Sequence, residues 1–169
     1  MAKPLIIVKY PDPILRRNSK PVVKFNSELQ RLIDAMVLTM RKAEGIGLAA
    51  PQIGKSLQLI VIEFTPDPDE KENIEPIPLT VLINPKIIVS SDVLVEMEEG
   101  CLSVPGRDIN IIRPESVSIE NTKPNGEKYT FDCSGLLARV CQHEMDHLQG
   151  KLIIDYPDTN PSTEPTTIL

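Results

Sequence analysis

The stretch from about Ser134 to Gln149, SGLLARVCQHEMDHLQ, constrains this chain more than any other. At helical spacing Leu136, Val140, His143 and His147 share one face, while Leu137, Cys141 and Leu148 share its neighbour. Gly150 supplies a stop. A helix apolar on two adjacent faces needs neighbours on both, so it is expected at the centre of the fold with its histidines turned inward.

The remaining elements are short. Residues 27–44 place Leu29, Leu32, Ile33, Met36, Val37 and Met40 on one helical face, with Ser27 and Gln30 as a capping box and Gly45 as the stop. β-branched runs at 57–64, 80–89, 116–122 and 127–131 read as strands, and Lys123-Pro124-Asn125-Gly126 reads as a hairpin turn between the last two. Strands grouped around two helices predict an α+β fold: antiparallel or mixed sheets around the central helix, plus an N-terminal amphipathic helix. At 169 residues and 41% hydrophobic, the chain supports one core. Residues 1–156 are expected to form one catalytic domain. Residues 65–78, rich in proline and acid, read as an exposed excursion, and 157–169 as a disordered tail.

A net charge of −6, with no run among the 18 basic residues, argues against a nucleic-acid surface. The first ten residues hold only a four-residue apolar run, too short for a secretory leader or membrane span, so the expected location is cytoplasmic, with no membrane partner. The three cysteines are odd in number and far apart, which suits a reducing compartment. Cys133 and Cys141 read as small buried apolar residues.

His143 and His147 are the only histidines in the chain. Residues four apart stack on one helical face, so the two imidazoles can converge on one cation while Glu144 leans about a quarter turn away, within reach of an activated water. Zinc proteases of the His-Glu-x-x-His class need a further ligand downstream. Ile153 stands where a third histidine would fall, and Glu164 lies in the proline-studded tail. The best remaining donor is upstream, Cys101 in the glycine-flanked EEGCLSVPG of residues 98–106. Sulfur with two imidazole nitrogens suits Zn or Fe(II), and the sequence does not separate them.

The glycines of GIGLAAPQIG, residues 45–54, follow a helix and precede Pro51, the wrong context for a phosphate loop. They permit close backbone approach by an extended ligand. Gln52 reads equally as an oxyanion donor or as a surface amide.

EGIGLAAPQ, EGCLS and QHEMDH, in this order and spacing, resemble the three signature motifs of peptide deformylases, which remove the formyl group from the N-terminal methionine of nascent bacterial and organellar proteins. YPDPILRRNSKPV near the start, VLINPKI at 81–87 and GLLARVCQHEMDHLQGKLIID at 135–155 are similar to the family as well, so the resemblance covers roughly residues 3–156. It implies that Cys101, His143 and His147 bind one divalent metal ion, natively Fe(II), with Zn, Ni or Co as substitutes. It implies that Glu144 is the general base and acid, that Gln52 and the Leu102 backbone N–H hold the oxyanion, and that Ile46 and Gly47 lie along a substrate backbone added as a strand. An apolar pocket is expected for the methionine side chain, with Arg139 either lining its rim through its aliphatic stem or pointing to solvent. The expected partners are N-formylmethionyl nascent peptides, with transient ribosome association. The short polar tail differs from relatives that carry a basic C-terminal helix.

Overall fold

The run Leu59-Ile60-Val61-Ile62 does not alternate between apolar and polar because both faces of its strand are covered, and all four side chains are fully buried. Ile60 and Ile62 face one apolar cluster, shared with Val140, Cys141, Met145 and Leu148. Leu59 and Val61 face the other, shared with Leu29, Ile33, Met36 and Met40. The strand is β2 (Leu59–Phe64) in a five-stranded sheet sandwiched between helix α1 (Ser27–Lys42) and helix α2 (Gly135–Leu148). The computed structural model describes residues 3–67, 69 and 74–157.

The sheet order is β1 (Gly47–Ala49), β2, β3 (Ile77–Ser90), β6 (Ser116–Thr122), β7 (Lys128–Ser134). Between β3 and β6 the chain forms a separate two-stranded sheet of β4 (Leu94–Glu99) and β5 (Ile109–Pro114), which covers a third apolar cluster around Leu15, Val104, Ile111 and Leu152. The class is α+β, as expected. Every strand pair is antiparallel; parallel pairing among the described residues is confined to one bridge, Lys20 to Leu57, so the sheets are not mixed. The β3–β6 ladder slips twice. Asn121, fully buried, spans the first slip: its Oδ1 accepts from the Ile83 N–H at 2.7 Å and its Nδ2 donates to the Val81 carbonyl at 3.1 Å. The Lys123–Gly126 turn joins β6 to β7, with Gly126 at φ 87°.

Two helix boundaries differ from expectation. The N-cap of α1 is Asn26, not Ser27: the Asn26 backbone is extended and its Oδ1 accepts from the N–H groups of Glu28 and Leu29, both at 3.1 Å. At the other end Glu44, not Gly45, takes the left-handed conformation, with φ 55°. The Glu44 N–H donates to Arg41 O and the Gly45 N–H to Met40 O, closing a Schellman turn. Gly45 instead lets Leu102 sit close, since a Cβ there would lie 2.6 Å from Leu102 Cδ1 and that side-chain end would have to shift.

Helix α2 ends in the same motif at Gly150, φ 71°, with Gly150 and Lys151 donating to His147 O and Asp146 O. A Cβ on Gly150 would stand 2.5 Å from the backbone carbonyl of Arg16, which cannot swing aside like a side chain. Left-handed strain and overpacking therefore combine, and Gly150→Ala is expected to lower stability by roughly 2–5 kcal/mol. Urea unfolding followed by circular dichroism measures it; an unchanged midpoint would contradict this account of the turn.

Of the excursion expected over 65–78, residues 68 and 70–73 lie outside the described residues, and Ile77 already belongs to β3. Of the expected tail, only Pro157 is described, and 158–169 lie outside. Among the described residues no helix is long and apolar enough to cross a membrane.

Candidate metal centre

Three elements converge on one cavity of about 420 Å³. Helix α2 brings His143, Glu144 and His147; the turn after β4 brings Cys101 and Leu102; the chain from the end of α1 through β1 brings Ile46, Gly47 and then Gln52. All of these except His147 line the cavity. Ligand atoms of Cys101, His143 and His147 lie within 4.8 Å of one another, and Cys101 Sγ is 3.3 Å from His147 Nε2. The helical spacing brings the two ring centroids to 5.2 Å.

The imidazole of His143 is oriented from behind. Its Nδ1 donates to Glu99 Oε2 at 2.8 Å, which leaves Nε2 for a cation. Glu99, only 4% exposed at the inward end of β4, is gripped by two arginines. Arg113 donates Nε to Oε1 at 2.6 Å and Nη2 to Oε2 at 2.9 Å, and Arg139 donates Nη1 to Oε1 at 2.8 Å. Burial works against this carboxylate's charge, but hydrogen bonds from Arg113, His143 and Arg139 outweigh it and hold Glu99 far below the usual carboxylate range. Arg113 is itself pushed up: burial opposes its charge, and Glu99 and Asp146 more than restore it. Its Nη1 also donates to Asp146 Oδ2 at 2.8 Å, and the Tyr156 hydroxyl donates to the same oxygen at 2.6 Å.

Glu144 has the opposite environment. Burial, reinforced by the Glu99 and Asp146 carboxylates and opposed by His143 and Arg113, pushes it up to about 7. Such a carboxyl can both take and give a proton near neutrality. Burial also disfavours charge on His143, but the hydrogen bonds its ring donates to the Cys101 sulfur and to Glu99 prevail and push it up to about 10. His147 goes well below its ordinary value through burial and the neighbouring His143 and Arg113 charges. A cation taking both imidazoles must therefore displace the proton on His143. One sulfur and two ring nitrogens within reach of one point fit a Zn- or Fe(II)-type ion. Two buried atoms here, Glu144 Oε2 and His147 Nδ1, have no hydrogen-bond partner among the described residues.

Gln52 is 1% exposed, so it is not a surface amide. Its Oε1 accepts from the Ala49 N–H at 2.8 Å, which fixes the amide orientation; Nε2 donates to Ser103 Oγ at 3.2 Å and lies 3.8 Å from Cys101 Sγ. The Leu102 carbonyl accepts from Lys9 Nζ. Gly47 lies against Glu144 so closely that a Cβ would stand 2.8 Å from the Glu144 Cδ and 2.9 Å from its Cγ. The missing side chain thus makes room for the carboxyl itself. Within its sheet β1 has β2 on one side only, leaving an edge beside the cavity.

Arg139 lines the cavity and does not point to solvent: it is 5% exposed, and its guanidinium is spent on Glu99, the Ile111 carbonyl at 2.9 Å and the Val95 carbonyl at 2.6 Å. Glu99, Arg113 and Asp146 were not anticipated from the sequence. The one available signal is that Glu99 stands two residues before Cys101, but nothing local distinguishes it from the exposed Glu98.

The polypeptide deformylase family model matches residues 4–162. The chain is 47% identical over 152 residues to peptide deformylase 1B, chloroplastic/mitochondrial, of Arabidopsis thaliana, covering 90% of this chain and 54% of that protein. It therefore spans about half the length of that plant relative. A peptide deformylase of Rhizobium meliloti is 45% identical over 154 residues, covering 91% of this chain and 84% of the relative. The crystal structure of a class I type b peptide deformylase from Acinetobacter baumannii with Met-Ala-Ser bound superposes with a TM-score of 0.86 at 34% identity, over 92% of this chain and 99% of that one. With the match running through nearly all the described residues, and every element that builds the cavity inside it, the chain belongs to the polypeptide deformylase family.

Proposed function

We propose that this protein hydrolyses the formyl group from the N-terminal formylmethionine of newly made proteins, releasing formate, and that residues 1–156 are its catalytic domain. The observation that carries the reading is the convergence of the ligand atoms of Cys101, His143 and His147 on one point beside a buried glutamate, with Cys101, His143 and that glutamate lining one cavity. Family membership and the likeness to a relative holding Met-Ala-Ser support it.

In this reading Cys101 Sγ and the two imidazoles hold one divalent cation, natively Fe(II), with Zn, Ni or Co as substitutes. Such an ion supplies Lewis-acid polarisation of the formyl carbonyl and acidifies water toward neutral pH. The chain's own groups do the rest. Glu144 takes a proton from the attacking water and returns it to the departing α-amine. Gln52 Nε2 and the Leu102 backbone N–H donate to the oxygen that becomes negative, each such donor typically worth about 3 kcal/mol in the transition state. Ile46 and Gly47, at the open sheet edge, pair with the peptide backbone as an added strand. The methionine side chain enters between Leu136 and Val140, which line the apolar part of the cavity.

The substrates are nascent chains, met in the cytoplasm or an equivalent compartment with transient ribosome association and without nucleic-acid or membrane binding. Protein loaded with Fe(II) without oxygen should release formate stoichiometrically from formyl-Met-Ala-Ser, as read by mass spectrometry and a formate assay. Folded, loaded protein that releases none, or that cleaves internal peptide bonds instead, would overturn the reading.

Gly47→Ala tests the placement of the proton carrier. Its Cβ displaces the Glu144 carboxyl by about an ångström, so turnover should fall by about 100-fold with the bound cation retained. Unchanged kcat would contradict the contact.

A further inference from the structure

The residues proposed as ligands come from two parts of the molecule with separate apolar cores. Helix α2 packs through Ala138, Val140, Cys141, Met145 and Leu148 into the cluster under the five-stranded sheet. The β4–β5 hairpin, which leads into Cys101, packs through Ile111 into the cluster of Leu15, Val104 and Leu152, where Cys101 also rests. Polar ties join the two parts, among them Arg113 Nη1 to Asp146 Oδ2 and Gln142 Nε2 to the Pro114 carbonyl. Arg139 makes three of these ties at once. It stands on α2 one turn before His143, and its guanidinium donates to Glu99 Oε1 and the Val95 carbonyl on β4 and to the Ile111 carbonyl on β5. The other oxygen of Glu99 accepts from His143 Nδ1, so Arg139 and His143 grip one carboxylate from one helix face.

We propose that Arg139 is a positioning residue for the metal centre: by joining α2 to both strands of the hairpin and fixing the rotamer of Glu99, it sets the separation between the Cys101 sulfur and the two imidazoles. The inference rests on the reading that Cys101, His143 and His147 bind the cation. A planar fork with several donors is what the position requires. Lysine places one ammonium on one or two of the three acceptors and leaves the remainder buried without a partner.

Cobalt(II) distinguishes positioning from mere stabilisation, because the thiolate-to-cobalt charge-transfer band reports the Cys101–cation bond and the visible bands report coordination geometry, whatever the turnover. We expect Arg139→Lys and Arg139→Met, measured well below their melting temperatures, to weaken cobalt affinity by about 10–100-fold in chelator competition and to shift both sets of bands, the Met change more than the Lys change. Should the Met variant fail to fold, the Lys variant decides. A folded Arg139→Lys with the parent affinity and spectrum would overturn the inference and leave the ligand assignment standing. A parent protein whose cobalt form shows no thiolate band would overturn the ligand assignment and this inference together.

Discussion

Glu144→Gln is expected to bind its cation as the parent protein does and to lose turnover by about 10²–10⁴-fold, because the substitution removes the proton carrier and none of the three donor atoms. Glutamine matches the shape of the carboxyl, so the close seat beside Gly47 is preserved. Stability should move the other way. In the metal-free protein Glu144 is pushed up to about 7 by burial, so its ionised form costs folding energy; the native state holds a proton that the unfolded chain releases from about 4.5 upward. The parent therefore loses stability relative to Glu144→Gln as pH rises from about 4.5 to about 7. Parallel denaturation curves across that range measure the divergence. A variant that keeps turnover, or two stability profiles that stay parallel, would contradict the assigned environment of this residue.

The second large effect belongs to Glu99. Glu99→Gln leaves Arg113 and Arg139 buried without their shared counter-charge, and losing one member of such a buried set typically costs about 3–5 kcal/mol. It also removes the acceptor that orients His143, so cation affinity should fall by about 10–100-fold in whatever fraction remains folded. The same carboxylate sets the acid limb of stability. Its folded value lies below its unfolded one, so its contribution is present above about pH 4.5 and is lost as pH falls through the acid range. Glu99→Gln should flatten that limb. Thermal and urea unfolding between neutral pH and strong acid would show it, and a variant with the parent's midpoint would show that the two arginines find other partners.

What could be read from residues alone followed the range of the interactions concerned. Helix α2, its inward histidines and its end at Gly150 are local: periodicity and a left-handed stop suffice. Cys101 was reachable by chemistry, since two imidazoles need a third donor. The β4–β5 hairpin was not. Its strands read LVEMEE and INIIRP, whose acids and short apolar runs imitate a loop, and whose stability comes from packing over Leu15 and Leu152, far away in sequence. Glu99 was hidden for the same reason, because only the strand's placement turns it inward while Glu98 stays exposed. Arg139 was ambiguous because its partners, Glu99, Val95 and Ile111, lie 28 to 44 residues away. The N-cap slipped by one residue because Asn26 and Ser27 are both good caps, and only backbone geometry selects between them.

The central claim, that one cation held by Cys101, His143 and His147 serves hydrolysis of the formyl group, is tested most directly by titrating Fe(II) or Ni(II) into the metal-free protein without oxygen while recording formate release from formyl-Met-Ala-Ser. The account predicts no release at the start, then a linear rise that stops at one cation per chain, with Cys101→Ala showing no rise. Release that needs no cation, that persists in Cys101→Ala, or that never appears in folded protein saturated with cation would contradict it.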